Sequence, residues 1–193
     1  SINFKLGKKN ILVTFHPVTL DRNTSKKHFQ ELLSAIDELK DTNIIFTKAN
    51  SDTDGKIINK MIDNYTKSNS KKSFAIASLG QLKYLSALQY MDFIIGNSSS
   101  GLLEAPSFKL GTINIGDRQK GRIKAQSVID CLPNKRSINK AIKIAYSKKF
   151  QDSIQKAKNP YNKNGYASKK IVKVLKTVKL DNILKKTFFD MKF

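Results

Sequence analysis

Apolar positions along the chain alternate between two periods. Ile11-Leu12-Val13-Thr14-Phe15 is a short β-branched and aromatic run that reads as a buried strand ending at His16-Pro17. The spacing then becomes helical: Phe29, Leu32, Leu33, Ile36 and Leu39 share one face of a helix expected from about Thr24 to Lys40. The same alternation repeats. Strands are expected at Asn43 to Thr47, Ser73 to Ser78, Asp92 to Gly96 and Thr112 to Gly116. Between them, Ile57, Ile58, Met61, Ile62 and Tyr65 mark one helix, and Leu82, Leu85 and Leu88 another. A Ser/Gly loop and a short helix near Leu102 follow the fourth strand. The remainder turns helical, at Ile138 to Tyr146 and Ser168 to Lys179, with a loop by composition from Asn159 to Gly165.

Strands alternating with helices imply βαβ units and a parallel sheet covered on both faces. The expected fold is α/β: one doubly wound, Rossmann-like domain with a helical extension over about 137–193. In such folds ligands sit beyond the carboxyl ends of the strands. Three polar turns fall there: His16 after the first strand, Gly96 to Glu104 after the fourth, and Gly116 to Arg122 after the fifth.

Composition narrows the field. The chain has 193 residues, 39% hydrophobic and 26% charged, ordinary values for a globular domain. Cys131 is its single cysteine, which excludes an internal disulfide and favours a reducing, cytoplasmic setting. No apolar run approaches the ~18 residues of a membrane span. The chain opens Ser1-Ile2-Asn3, which reads as a piece of a longer protein. Net charge is +21, yet only four of the 36 basic residues are arginine, and the lysines are scattered. That pattern reads as a solvated surface and not as a nucleic-acid site, although a basic nucleic-acid-binding module stays open as a rival.

The turns carry the candidate chemistry. In Asn97-Ser98-Ser99-Ser100-Gly101, small residues, hydroxyls and a following helix start make either a phosphate cradle or a plain helix cap. Glu104, one turn on, either stabilises the helix dipole or accepts two ribose hydroxyls. Arg118 and Arg122 place half of the arginines in one Gly-flanked loop, suited to bidentate diphosphate contacts or simply to solvent. His16 is either a satisfied core histidine or an electrophile facing a phosphate; His28, in a lysine-rich helix start, reads as solvated. Two distant histidines and one cysteine leave no metal cluster, and no glycine fingerprint for a dinucleotide or Walker loop occurs.

Together, His16-Pro17-Val18-Thr19, the block Gly96 to Glu104 and Asp117-Arg118-Gln119-Lys120-Gly121-Arg122 resemble the hydrolysing UDP-N-acetylglucosamine 2-epimerases of sialic- and legionaminic-acid synthesis. Asn159-Pro160-Tyr161 through Gly165 and the tail Leu180 to Lys186 are similar to the ending of that family. The resemblance covers the family's C-terminal half only. It implies the UDP-sugar-binding domain (1–193) of a two-domain, GT-B-like enzyme whose N-terminal half supplies most acid/base carboxylates. It implies no cofactor, a UDP-sugar substrate, the N-terminal domain as partner and a homo-oligomeric full-length protein. By motif position, Ser98, Ser99, Ser100 and Gly101 would hold the diphosphate, Glu104 the ribose and Arg118 the leaving phosphate. Arg122 would be a second phosphate partner, His16 a catalytic group on the phosphate side, and Leu79 and Tyr84 the place of the base. A diacetamido-trideoxy sugar nucleotide is the alternative substrate, and a GT-B glycosyltransferase donor domain the alternative function.

Overall fold

The computed structural model describes residues 4–18, 24–50, 54–162, 165–181 and 184. Thr19 of the first motif, Lys163 and Asn164 of the Asn159 loop, and Asn182, Ile183, Lys185 and Lys186 of the tail lie outside them. The chain divides into two compact units, Ser1–Tyr161 and Asn162–Phe193.

In the first unit, β1 (Lys9–Thr14), β2 (Thr42–Thr47), β3 (Ser73–Ile76), β4 (Phe93–Gly96), β5 (Gly111–Ile115) and β6 (Val128–Cys131) form one sheet. Every pairing is parallel and the order is β3-β2-β1-β4-β5-β6. Successive strand residues point to opposite faces, and both faces are buried. Ile11, Val13, Ile44, Phe46, Phe93, Ile95, Ile113 and Ile115 feed one core, where they meet α1 (Ser25–Ile36), α2 (Gly55–Ser68) and α5 (Lys135–Ala145). Leu12, Ile45 and Ile94 feed the other, against α3 (Gly80–Leu88) and the chain around Ala105 and Leu110. This is the doubly wound architecture that the alternating pattern predicts.

β6 is an addition to the five strands read from the sequence. It is a four-residue edge strand, half-exposed and interrupted by Asp130, so it shows no apolar run. A further helix, α6 (Lys148–Lys156), begins where the Ser147 hydroxyl accepts from the Phe150 N–H. The helical segment expected over about 137–193 is divided. Ile138, Ala141, Ile142 and Ala145 of α5 belong to the main core, whereas α7 (Ala167–Thr177) lies in the second unit. Among the described residues, no helix is long and apolar enough to cross a membrane.

The order of the strands locates the site. The connections reverse direction between β1 and β4, and at such a switch point the two turns leaving the strand ends diverge and open a crevice. Those turns carry His16 and Asn97.

Candidate functional site

β4 ends at Gly96, whose φ of +144° is a backbone conformation that side chains disfavour. A Cβ there would stand 1.9 Å from the Thr14 carbonyl oxygen of β1. Only glycine lets the two strand ends lie this close while the chain turns out of the sheet. The turn delivers Asn97, 1% exposed, directly under the β1 exit. Its Oδ1 accepts from the His16 N–H at 2.7 Å and its Nδ2 donates to the His16 carbonyl at 2.8 Å.

The third turn arrives at the same residue. Arg118 Nη1 donates to the Asn97 carbonyl at 3.0 Å, and Gln119 Nε2 donates to it at 2.8 Å. One buried asparagine therefore joins the exits of β1, β4 and β5, with its side chain on the first and its carbonyl on the last. The sequence places Asn97 and Gln119 inside the candidate turns but singles out neither for a role of its own. A small amide immediately after a strand-ending glycine was the available signal for Asn97.

Beyond Asn97 the chain forms the serine turn and the one-turn helix α4 (Ser100–Leu103). Ser98 organises it: its Oγ accepts from the Ser100 N–H and its carbonyl from the Gly101 N–H, both at 3.3 Å. Gly101 is pressed onto β5, where the Thr112 hydroxyl donates to its carbonyl at 2.9 Å. With only one turn, α4 has little macrodipole, so local N–H groups and hydroxyls are what this turn offers an anion.

Glu104 closes α4. Its Oε2 is buried without a hydrogen-bond partner. Tyr84, from α3, hydrogen-bonds the Ser100 hydroxyl. Burial pushes its phenol above the ordinary range and the Glu104 charge adds to this, while the Ser100 bond works the other way. The phenol therefore stays neutral at physiological pH. Leu79, 7% exposed, immediately precedes the same helix. Tyr84, Ser100 and Glu104 thus form one neighbourhood, contiguous through the serine turn with the Asn97 junction. Arg122 stands apart: its side chain is exposed, and its guanidinium makes no hydrogen bond or ion pair among the described residues.

A cavity of about 480 Å³ opens on the other side of Asn97, lined by Phe15, Val18, His28, Asn97, Lys120 and Cys131 among others. It does not include the serine turn, Glu104 or Tyr84. His28, read from the sequence as solvated, is half-buried in this wall. The β5 and β6 turns meet α1 there, a tertiary event that helix composition does not foretell. On the same side, Lys124 and Asn114 both bind the Asp130 carboxylate, at 2.8 and 2.7 Å. Among the described residues, no group of three His, Cys, Asp or Glu could hold a metal ion.

A 3-2-1-4-5-6 parallel sheet with polar turns at its switch point is a Rossmann-type α/β fold, and the solved structures that share it include epimerases and glycosyltransferases of the GT-B type. Residues 1–176 match the family described as UDP-N-acetylglucosamine 2-epimerase, and the chain belongs to that family. It is 44% identical over 191 residues to a GDP/UDP-N,N'-diacetylbacillosamine 2-epimerase (hydrolyzing) from Campylobacter jejuni, covering 99% of this chain and 49% of that protein. It is 40% identical over 188 residues to polysialic acid biosynthesis protein P7 of Escherichia coli, covering 96% and 47%. Among solved structures, Staphylococcus aureus MnaA with UDP superposes with a TM-score of 0.69 at 22% identity, over 96% of this chain and 49% of that one. The chain spans about half the length of the curated relatives it matches.

Proposed function

We propose that this chain is the nucleotide-sugar-binding half of a hydrolysing 2-epimerase, which converts UDP-N-acetylglucosamine and water to N-acetylmannosamine and UDP. The observation that carries the reading is the junction at Asn97, which brings Arg118 and the His16 turn to the start of the serine turn.

The chemistry asks for those groups. Removal of the C2 proton and departure of UDP from C1 leave a glycal-like intermediate. Water then adds at C1, and a proton returns to C2 from the opposite face. Negative charge grows on the β-phosphate as the C1–O bond breaks, so cations and N–H donors already in place lower that barrier. In this reading Arg118 neutralises the leaving phosphate, held over the strand end by its bond to the Asn97 carbonyl. Ser98, Ser99, Ser100 and the Gly101 amide take the diphosphate, exchanging the long 3.3 Å bonds inside the turn for bonds to phosphate oxygens. Glu104 accepts the ribose hydroxyls, which supply the partner its buried Oε2 lacks. Leu79 and Tyr84 border the base. Arg122 reaches the diphosphate only by reorienting its exposed side chain. The carboxylates that move the C2 proton come from an N-terminal half, and the intact enzyme is a cytoplasmic homo-oligomer.

A second reading keeps the mechanism and changes the sugar to a 2,4-diacetamido-2,4,6-trideoxy hexose on UDP or GDP. The Campylobacter relative, 44% identical over 99% of this chain, favours it. Only C1, C2 and the diphosphate react, so both sugars ask the same of this half.

The test is Arg118→Ala in the protein that carries this chain. Loss of one such donor costs about 2.7–4 kcal/mol of barrier, so UDP release from the sugar nucleotide falls roughly 10²–10³-fold. Unchanged turnover overturns the reading. Comparing kcat/KM for the two sugar nucleotides separates the substrates. Free N-acetylmannosamine formed with no acceptor present excludes a glycosyltransferase.

A further inference from the structure

The His16 ring is held separately from its backbone. Asn97 grips the His16 peptide, but the ring meets the turn after β2, where the Asn50 N–H donates to His16 Nδ1 at 3.4 Å. That turn is fixed at several points. Asn59, on α2, clamps Ala49: its Oδ1 accepts from the Ala49 N–H at 2.7 Å and its Nδ2 donates to the Ala49 carbonyl at 3.2 Å. Gly55 abuts the Asn50 carbonyl so closely that a Cβ would stand 1.9 Å from its oxygen. One step back, the Thr14 and Thr47 hydroxyls, opposite each other in the β1–β2 register, share a buried hydrogen bond of 2.6 Å. The strand ends from which the two turns leave are therefore tied together.

An N–H aimed at Nδ1 has a chemical consequence. Nδ1 must present a lone pair, so the neutral ring carries its proton on Nε2. An imidazolium would put an N–H at Nδ1 against the Asn50 N–H, donor facing donor. We propose that the Asn50 amide, positioned by Asn59 and Gly55, fixes His16 as the neutral Nε2–H tautomer. His16 is then a hydrogen-bond donor to the departing phosphate and not the base that takes the C2 proton. A neutral histidine can serve as an electrophile in this way. The part played toward the phosphate rests on the function proposed above; the tautomer rests on geometry alone. Asn50 and Asn59 are positioning residues.

The experiment is long-range ¹H–¹⁵N correlation of the imidazole rings in the ¹⁵N-labelled 193-residue chain, with the backbone amides followed while the ring is titrated. His16 Nδ1 should appear as a bare acceptor nitrogen, with the proton on Nε2, and the Asn50 amide should shift as the ring changes state. In Asn59→Leu or Gly55→Ala, an Nδ1–H population should appear and the Asn50 response should fade. In the protein that carries the chain, either change should lower kcat roughly tenfold to a hundredfold with KM for the sugar nucleotide unchanged. An Nδ1–H ring in the unaltered chain, or an Asn50 amide indifferent to the ring, overturns the proposal even if neither variant folds. No turnover of any sugar nucleotide, with the ring still in the Nε2–H state, would remove the functional reading and leave the tautomer assignment standing.

Discussion

The side chain of Asn97 holds the peptide of His16 from both sides, accepting from its N–H at 2.7 Å and donating to its carbonyl at 2.8 Å. The two residues are 81 positions apart, so this pair closes the switch-point crevice from below. Asn97→Ala should remove both bonds and leave partly buried backbone groups without partners. Each such group costs about 1–3 kcal/mol, so urea unfolding should show a loss of about 2–4 kcal/mol. A loss below ~1 kcal/mol would mean that solvent already reaches these groups.

Glu104 should separate binding from stability. Its Oε2 is buried without a partner, an arrangement that costs free energy until a ligand supplies donors. Glu104→Gln removes the charge from that position. The melting temperature should stay or rise, while UDP affinity by calorimetry falls about tenfold or more. A variant that melts earlier and binds UDP as before would assign Glu104 to the scaffold.

The contact of Gly101 with Thr112 can be read by a double-mutant cycle. A Cβ on Gly101 would lie 2.4 Å from the Thr112 Cγ2 methyl, and the Thr112 hydroxyl binds the Gly101 carbonyl. Gly101→Ala alone should destabilise by about 1–3 kcal/mol. Adding Thr112→Ser, which deletes the methyl and keeps the hydroxyl, should recover much of it. Additive effects in chemical unfolding would contradict this packing.

How much of this was legible in the chain depends on burial. β1, β2 and β4 are covered on both faces, so each reads as an apolar run. β6 could not be read that way: it lies at the sheet edge, and its Asp130 holds Lys124 and Asn114 in place of core contacts. α6 escaped for a similar reason, since Ile154 is its one buried residue. Of the site, the serine turn and Arg118 announced themselves by residue type. Asn97, Gln119 and His28 did not, because their positions arise only when turns distant in sequence meet.

Cys131 contributes to alkaline stability with a definite sign. Burial pushes its thiol up to about 12, with the Asp130 charge adding to it. The unfolded chain therefore loses this proton first, and the contribution present below the ordinary thiol range declines as pH rises from there toward 12. The Cys131 share of the unfolding free energy should drop by about 1 kcal/mol between pH 9 and 10. The raised phenols of Tyr65, Tyr84 and Tyr146 add to the same slope, so Cys131→Ser should make it shallower without abolishing it. The thiol should also react slowly with a disulfide reagent at pH 8. Fast labelling of the folded chain would contradict the burial.

In the proposed function, the exits of β1, β4 and β5 build a single seat for a nucleoside diphosphate. Titrating UDP into the ¹⁵N-labelled chain and mapping the amide shifts tests it most directly. Saturable shifts should gather at His16, Asn97 to Gly101, Glu104 and Arg118, leaving α2 and α6 unmoved. Shifts confined to other surfaces, or none up to millimolar UDP, would contradict it.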